Sequence, residues 1–187
     1  RLSPEQPDQN SQLGGLTEWP QSLRTLVGVM LGSHQPMFIA WGPERLMLYN
    51  DDYAPMLGRR HPQALGTRFD EVWFDILDQV GPIMDRAYAG VATHMDDICF
   101  VMHRHGYPEE THFSFSYTPV RDETGAVAGM FCACNEITEQ VKNRRALQAE
   151  KDRLQALFEQ APGLMAMLGG PEHIFEFANP SLSCSHR

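Results

Sequence analysis

Residues 37–50 read MFIAWGPERLMLYN, two short apolar runs on either side of a Gly-Pro-Glu-Arg connection. A connection of this length and composition favours a β-hairpin with strands over residues 37–41 and 46–50. Asn50 is followed by two aspartates, so we expect its side chain to cap a short helix running from Tyr53 to Leu57. A hairpin that ends in Asn and passes directly into a helix is therefore the first predicted unit of the fold.

Helices and strands are predicted on both sides of this hairpin. Apolar residues at three- and four-residue spacing predict an amphipathic helix that starts at Trp19-Pro20 and ends at Gly32. Over residues 58–74 the apolar pattern breaks into short segments, and a longer helix is predicted to follow from Ile76 to Gly90. Three strand-like runs with turn sequences between them then follow, over Met95–Met102, Thr111–Val120 and Ala126–Cys134. The predicted fold class is α+β, with an antiparallel sheet of about five strands flanked by short helices.

The composition limits the classes of protein to which the chain can belong. The chain has 187 residues, 42% of them apolar, and a net charge of −9, which is typical of a soluble globular protein. No segment gathers the cations that a phosphate backbone requires, so we expect no nucleic-acid partner. The longest apolar run is about half of a membrane helix, so no span is predicted. Four cysteines and no signal peptide favour the cytoplasm. Because the chain begins at Arg1, we expect a piece of a longer protein.

The two ends of the chain differ from its middle. Residues 1–18 are rich in Pro, Gln, Ser, Asn and Gly and predict a flexible lead-in. Residues 138–161 form a Glu-, Gln- and Leu-rich segment that predicts a helical linker. Its apolar residues, which predict a dimer-forming helix and suggest a coiled coil, are Leu147, Leu154, Leu157 and Phe158. We therefore expect a homodimer, although Arg144 and Lys151 interrupt the apolar seam.

The chain also contains an internal repeat. The hairpin sequence around Pro43 is echoed around Pro171, at an offset of 128 residues, and an Asn ends the second strand in both copies. A repeat of this kind indicates a second copy of the same structural unit. Residues 162–187 are therefore predicted to be the truncated start of a second module, and residues 19–137 to be the complete first one.

Together these elements resemble a PAS domain, with Glu136-Ile137-Thr138 leading into the linker helix. The stretch from Trp19-Pro20 through Gly42-Pro43-Glu44 to Gly106-Tyr107-Pro108 is similar to the N-terminal PAS sensor of bacterial, often hybrid, histidine kinases. The resemblance implies a sensory or interaction domain of a two-component system, whose C-terminal signalling helix passes a conformational change to a downstream kinase. Related modules also precede diguanylate cyclases. Relatives usually have Asp at the position of Glu136.

The resemblance also implies two sites. The family's usual ligand site is a small apolar cavity, for which the candidate residues are Phe113, Phe115, Tyr117, Ile83 and Met84. Signal transmission is assigned to Glu136, Ile137 and Thr138, the only connection from the last strand to the helix. We expect Thr138 to cap that helix and a nearby Arg or Lys to hold the carboxylate of Glu136.

No cofactor is predicted, and the alternative of an unknown small-molecule ligand is kept. Haem-binding relatives supply a His from the long helix, and Ile76–Gly90 contains no His, which disfavours haem. Flavin-thiol photoreceptors need a Cys on the short helices, and residues 51–90 contain no Cys, which excludes that photochemistry. Three histidines near one hairpin are candidate ligands for Zn²⁺ or Ni²⁺, and the alternative interpretation is that they are solvated turn residues: His103, His105 and His112. Cys132 and Cys134 are interpreted as buried structural thiols.

The sequence contains no motif for catalysis. It has no Gly-rich phosphate loop, no ATP-binding signature and no nucleophile elbow, so this fragment is predicted not to be an enzyme, whereas its parent is expected to be a histidine kinase. Two functions from different classes follow. One is a sensor with a ligand, and the other is a structural dimerisation module without one.

Overall fold

The computed structural model describes residue 15, residues 18–160 and the backbone of residues 166–169 and 174–178. The chain divides into two units, Arg1–Thr138 and Glu139–Arg187. Most of the predicted lead-in lies outside the described residues, as does the predicted second module apart from two strands.

The first unit contains the five strands of the main sheet and the helices that cover it. Its elements are α1 (Gln21–Leu31), β1 (Met37–Trp41), β2 (Leu46–Tyr49), α2 (Ala54–Leu57), a 3₁₀ turn (Gly58–Arg60), α3 (Phe69–Val72), α4 (Leu77–Tyr88), β3 (Thr93–Met102), β4 (Glu109–Arg121) and β5 (Val127–Glu136). The sheet has the order β2-β1-β5-β4-β3, and every pair of neighbours is antiparallel. The predicted α+β class with a five-stranded antiparallel sheet is confirmed.

The sheet separates two apolar cores. On the outer face, Leu23 and Met30 of α1 are fully buried against a cluster that includes Ile39 of β1. On the inner face, the helices between β2 and β3 cover a larger cluster that includes Phe38 and Ala40. Because successive side chains of a strand point to opposite faces, one short strand contributes to both cores. The short apolar run of β1 thus joins the two layers of helices.

Asn50 ties the hairpin to its neighbours. It is only 3% exposed. Its Oδ1 accepts hydrogen bonds from the backbone N–H groups of Met37 at 3.0 Å and Tyr53 at 3.2 Å. Its Nδ2 donates to the carbonyl oxygens of Met30 at 3.1 Å and Gln35 at 2.8 Å. The bond to Tyr53 organises the turn before α2, while the other three bonds fix the end of α1 beside β1. The prediction that Asn50 caps the helix is wrong, because Tyr53 occupies the N-cap position of α2 and no side chain caps the helix.

The second unit contains α5 (Thr138–Gln160) from its second residue onward. Its strands β6 (Ala166–Gly169) and β7 (Ile174–Ala178) form a separate antiparallel pair. The side chains of Leu147, Leu154 and Leu157 are exposed, and Phe158 is half-buried. Within the described part of the chain, no helix is both long and apolar enough to cross a membrane.

The two hairpins have the same pairing next to their turns. Trp41 pairs with Leu46 across the turn of the first hairpin, and Gly169 pairs with Ile174 in the second. The second pair lies 128 residues after the first at both positions, which is the offset of the sequence repeat. Beyond the next pair, a register shift between Met167 and Leu168 makes the second hairpin differ from the first by one residue. The equal pairing beside the turn supports a second module, which stays a prediction because most of it lies outside the described residues.

We predict that Asn50→Ala lowers the free energy of unfolding by about 2–4 kcal/mol, because it leaves buried N–H and C=O groups without their partner. Urea denaturation of the whole chain measures the change. Asn135→Ala, at an exposed position of β5, is the matched control and should change the free energy by less than about 0.5 kcal/mol. Equal effects of the two substitutions would contradict a special role of Asn50.

Candidate functional site

An apolar cavity of about 40 Å³ lies between the inner face of the sheet and the helices that cover it. The sheet side is formed mainly by aromatic residues and two thiols, and the helix side by residues of α2, α3 and α4 and the segments beside them. Met56, Trp73 and Val80 belong to the helix side. The volume is several times what one water molecule needs.

Three of the five predicted cavity residues line it, namely Phe113, Phe115 and Tyr117. They are alternate residues of β4, so the strand periodicity places them on one face. The other two, Ile83 and Met84, do not line the cavity, although they are buried in the same core. Around α4, the lining residues are Val80 and the preceding Ile76, because the cavity lies at the N-terminal end of this helix. Ile83 and Met84 lie about one turn further along the axis.

Two hydroxyl groups and one thiol of the cavity are uncharged. Burial raises the pKa of the Tyr117 hydroxyl well above its ordinary value, and burial likewise raises the pKa of Tyr53. Burial, together with neighbouring Cys134, also raises the pKa of the Cys132 thiol. These groups therefore stay neutral at physiological pH. A lining of aromatic rings with a few neutral hydroxyl and thiol groups suits a small, uncharged, apolar molecule.

A partly buried ion pair lies at the end of β5. The carboxylate of Glu136 accepts two hydrogen bonds from Arg104, from Nη1 at 2.7 Å and from Nη2 at 2.8 Å. The Arg104 side chain is only 8% exposed. Two parallel bonds between a guanidinium and a carboxylate fix the relative orientation of the groups as well as their distance. Arg104 is the cation that the sequence left unidentified.

Both members of this pair are charged. Burial opposes the ionisation of Glu136, but the hydrogen bonds and charge of Arg104 outweigh it and lower the pKa of the carboxyl group. Burial also opposes the charge of Arg104, and the hydrogen bonds and charge of Glu136 again outweigh it, so the pKa of the guanidinium is raised. Removing one partner would leave the other as an uncompensated buried charge.

Arg104 also contacts the cavity wall. Its Nη1 lies 3.4 Å from the carbonyl oxygen of Met56, whose residue lines the cavity. The carbonyl of Arg104 accepts a hydrogen bond from the N–H of Arg59 at 3.0 Å. This close approach requires Gly58, which has a positive φ of 56°, and a Cβ there would lie 2.7 Å from the carbonyl oxygen of Arg104. One side chain therefore connects the cavity wall to the end of β5.

The three predicted transmission residues are held by β4. The N–H of Ile137 donates to the carbonyl of His112 at 2.8 Å, and the N–H of His112 donates to Oγ1 of Thr138 at 3.0 Å. The Thr138 hydroxyl in turn donates to Glu136 at 3.0 Å. The expectation that Thr138 caps α5 is wrong, because Thr138 is the first residue of the helix and its hydroxyl binds to β4 and Glu136 instead.

The three predicted metal-binding histidines do not come together. The N–H of His103 donates to Asp75 at 2.8 Å, and the His105 ring lies beside Gly58. His112 is buried on β4, where its pairing partner across the sheet is Cys99. The hairpin turn separates the first two histidines from the third, so the proposed three-histidine arrangement is wrong.

Sequence reasoning missed Arg104 and Met56. The residue types gave one usable indication, because a carboxylate at the end of a central strand needs a cation and Arg104 lies in the turn before β4, the strand that pairs with β5. Nothing in the local pattern indicated Met56, whose role depends on the packing of α2.

Comparison with known proteins agrees with this architecture. A sequence model of the PAS fold matches residues 35–142, more than half of the chain, and the chain therefore belongs to the PAS family. PAS domains are generally non-catalytic sensory modules. No curated protein matches the chain.

Several solved structures are similar in fold. An RNA-binding light-oxygen-voltage receptor matches with a TM-score of 0.50 and 16% identity over 76% of this chain and 41% of its own, so the chain spans less than half of that protein. The PAS domain of Bordetella pertussis BvgS matches with a TM-score of 0.44 and 19% identity over 70% of this chain and 97% of its own. A PAS domain from Colwellia psychrerythraea matches with a TM-score of 0.47 and 12% identity, over 63% and 98% of the two chains. At these identities, the likeness concerns the fold alone.

We predict that Glu136→Gln lowers the free energy of unfolding at neutral pH by about 1.5–3 kcal/mol, because it removes the charge that pairs with Arg104. The pKa of Glu136 is lower in the folded than in the unfolded chain, where it is about 4.3. The contribution of the carboxylate is therefore complete above that pH and is lost as the pH falls through the folded-state pKa. The difference between wild type and variant should narrow in acid.

Urea denaturation between about pH 7 and pH 3 measures this difference. Glu139→Gln is the control, because Glu139 pairs with Lys142 through side chains that are 78% and 61% exposed. Such a surface pair should contribute about 0.5 kcal/mol or less. A difference between wild type and Glu136→Gln that stays constant or widens in acid would refute the assigned role of the ion pair.

Proposed function

We propose that this PAS domain senses the occupancy of its inner cavity and passes the change through Arg104 and Glu136 to α5. In this proposal the chain is the cytoplasmic sensor of a bacterial signalling protein, and the output domain is a histidine kinase. The observation that supports it is the position of Arg104, which contacts both the carbonyl of Met56 and the carboxylate of Glu136. The kinase output is favoured over a diguanylate cyclase by the sequence resemblance of residues 19–111.

The environment of Arg104 supports two arrangements of the ion pair. Glu136 holds the two terminal nitrogens, while a carboxylate oxygen of Glu109 lies 3.6 Å from Nε, beyond hydrogen-bond distance. Within the described part of the chain, Nε of Arg104 and Oε1 of Glu109 are buried without a hydrogen-bond partner. A small shift of the guanidinium would exchange bonds with Glu136 for a bond with Glu109. Such exchange between discrete contacts is how small displacements become switching transitions.

Occupancy of the cavity reaches this pair through α2. A molecule that fills the cavity presses on Met56, whose carbonyl touches Arg104. When the guanidinium moves, Glu136 loses a bond and the hydroxyl of Thr138 loses a charged acceptor. Because Thr138 is the first residue of α5, the change is passed on along the covalent chain. The cavity lining favours a small, neutral, apolar molecule as the occupant.

The exposed apolar residues of α5 support a homodimer. Leu147, Leu154 and Leu157 expose more than half of their surfaces to solvent, which is costly on a helix whose other residues are mainly charged and polar. A second copy of the helix would cover them. The same observation favours the second candidate function, a structural dimerisation module that binds no ligand.

We predict that filling the cavity changes kinase output and that Glu136 is required for the change. Residues 1–160, which end with α5, are joined to the catalytic region of a sensor histidine kinase, and autophosphorylation is measured. Cys132→Val adds a methyl group to the cavity lining and mimics an occupant. We expect it to change activity at least about fivefold, the lower end of measured couplings between sites. Adding Glu136→Gln or Thr138→Ala should remove most of that change.

Asp85→Asn is the matched control, because Asp85 also pairs with an arginine, Arg45, but at an exposed site on α4. It should leave the response to Cys132→Val intact. If all variants melt normally and the double variants respond like Cys132→Val alone, the ion pair is only a structural connection and the proposed route is wrong.

We predict that native mass spectrometry of the purified chain gives a dimer with a small non-peptide molecule bound to each copy. Replacing Leu147 and Leu154 by Glu should give a monomer, because it places charges on the apolar face of α5. A bare polypeptide mass for the dimer would support the structural module instead of the sensor. A monomer at high micromolar concentration of the wild-type chain would contradict dimerisation in both functions.

A further inference from the structure

The outer face of the β3–β4 pair carries a cluster of metal-ligating side chains that the proposed function does not use. Cys99, Glu110 and His112 each offer one donor atom, and these atoms lie within 4.8 Å of one another. Cys99 lies directly opposite His112 in the strand pairing, and Glu110 precedes His112 by two residues on β4. Residues two apart on a strand share a face, so the three side chains converge.

A fourth residue orients the imidazole. Nδ1 of His112 lies 2.6 Å from Oδ1 of Asp97, and Nε2 lies 3.2 Å from Oε1 of Glu110. A carboxylate accepts hydrogen bonds, so the shorter contact assigns the ring proton to Nδ1. The lone pair of Nε2 is then directed toward the cluster. Metal-ligating histidines almost always donate their other ring N–H to a carboxylate or carbonyl in this way.

We propose that Cys99, Glu110 and His112 bind a zinc ion and that Asp97 is the positioning residue for His112. A thiolate, an imidazole and a carboxylate are the three ligand types that zinc accepts in proteins, and three protein ligands leave the fourth position to water. Calcium and magnesium prefer oxygen ligands alone. Binding releases the thiol proton of Cys99 to solvent and forms the zinc–sulfur bond, so the affinity rises with pH.

The side chains can reach the geometry that zinc requires. Bond lengths of about 2.0–2.3 Å place two ligand atoms on one tetrahedral zinc about 3.3–3.8 Å apart. The donor atoms must therefore move together by about 1 Å from their largest separation. His112 is buried and held by Asp97, whereas Cys99 and Glu110 are exposed. Rotation of the two exposed side chains closes the site without disturbing the core.

Zinc binding by the whole chain tests this site. Competition with a chromogenic chelator should give one zinc per chain, and substitution with cobalt should produce a thiolate-to-cobalt charge-transfer band. Cys99→Ser should remove that band and weaken zinc binding by more than about 100-fold, and His112→Gln should weaken it similarly. Asp97→Asn should weaken binding by about 10–100-fold, the range for groups that orient a ligand, while the cobalt band persists.

His94→Gln is the matched control. His94 lies on the same face of β3 as Cys99, and its ring nitrogens lie 2.7 Å from Ser116 and Asp96. Within the described residues, His94 does not belong to the cluster of Cys99, Glu110 and His112. It should change zinc affinity by less than about twofold, well below the effect of a lost ligand. Since Cys99 is exposed, Cys99→Ser tests the site even if His112→Gln unfolds. Binding of less than one zinc per chain, unchanged affinity in Cys99→Ser, or an equal loss in His94→Gln would overturn the proposal.

Discussion

The burial of the Arg104 guanidinium is the constraint on which the candidate site depends. A permanent cation that is 8% exposed loses nearly all of its hydration, which costs several kcal/mol unless protein groups replace the water. Glu136 and the carbonyl of Met56 do so, from the end of β5 and from α2. Three segments that are far apart in sequence must therefore meet at one point. The turn after β3 places Arg104 there, and Gly58 lets α2 approach.

Successive side chains of β4 point to opposite faces of the sheet, and the two faces carry different sites. Phe113, Phe115 and Tyr117 point to the inner face and line the cavity. His112 points to the other side, where Asp97 and Glu110 hold its ring. A one-residue slip of this strand would exchange the two sets of side chains. The apolar cavity and the polar cluster therefore specify the same register, which is also the register that brings Glu136 opposite Phe113.

The sequence predicts local features of this fold well and long-range ones poorly. The hairpin over residues 37–50 follows from apolar runs and turn residues, and β4 follows from strict alternation, so both could be read from neighbouring residues. Ile83 and Met84 were misplaced because periodicity identifies the buried face of a helix but does not say which turn borders a cavity. Thr138 was misassigned because a hydroxyl at a helix start satisfies the capping pattern whether or not a neighbouring strand binds it. The partner of Glu136 depended on how two turns pack, and no local pattern encodes that.

The candidate transmission residues and the proposed metal site meet in one residue. The main chain of His112 accepts a hydrogen bond from Ile137 and donates one to Thr138, and its side chain points into the cluster with Cys99 and Glu110. A ligand that fixes the His112 ring also fixes the backbone amide that holds the first residue of α5. The Thr138 hydroxyl thus donates to Glu136, which Arg104 holds, and accepts from the backbone N–H of His112. The start of α5 is therefore the point at which two chemically different stimuli, an apolar occupant and a metal ion, would act on one hydroxyl group, the occupant through its bond to Glu136 and the metal ion through its bond from His112.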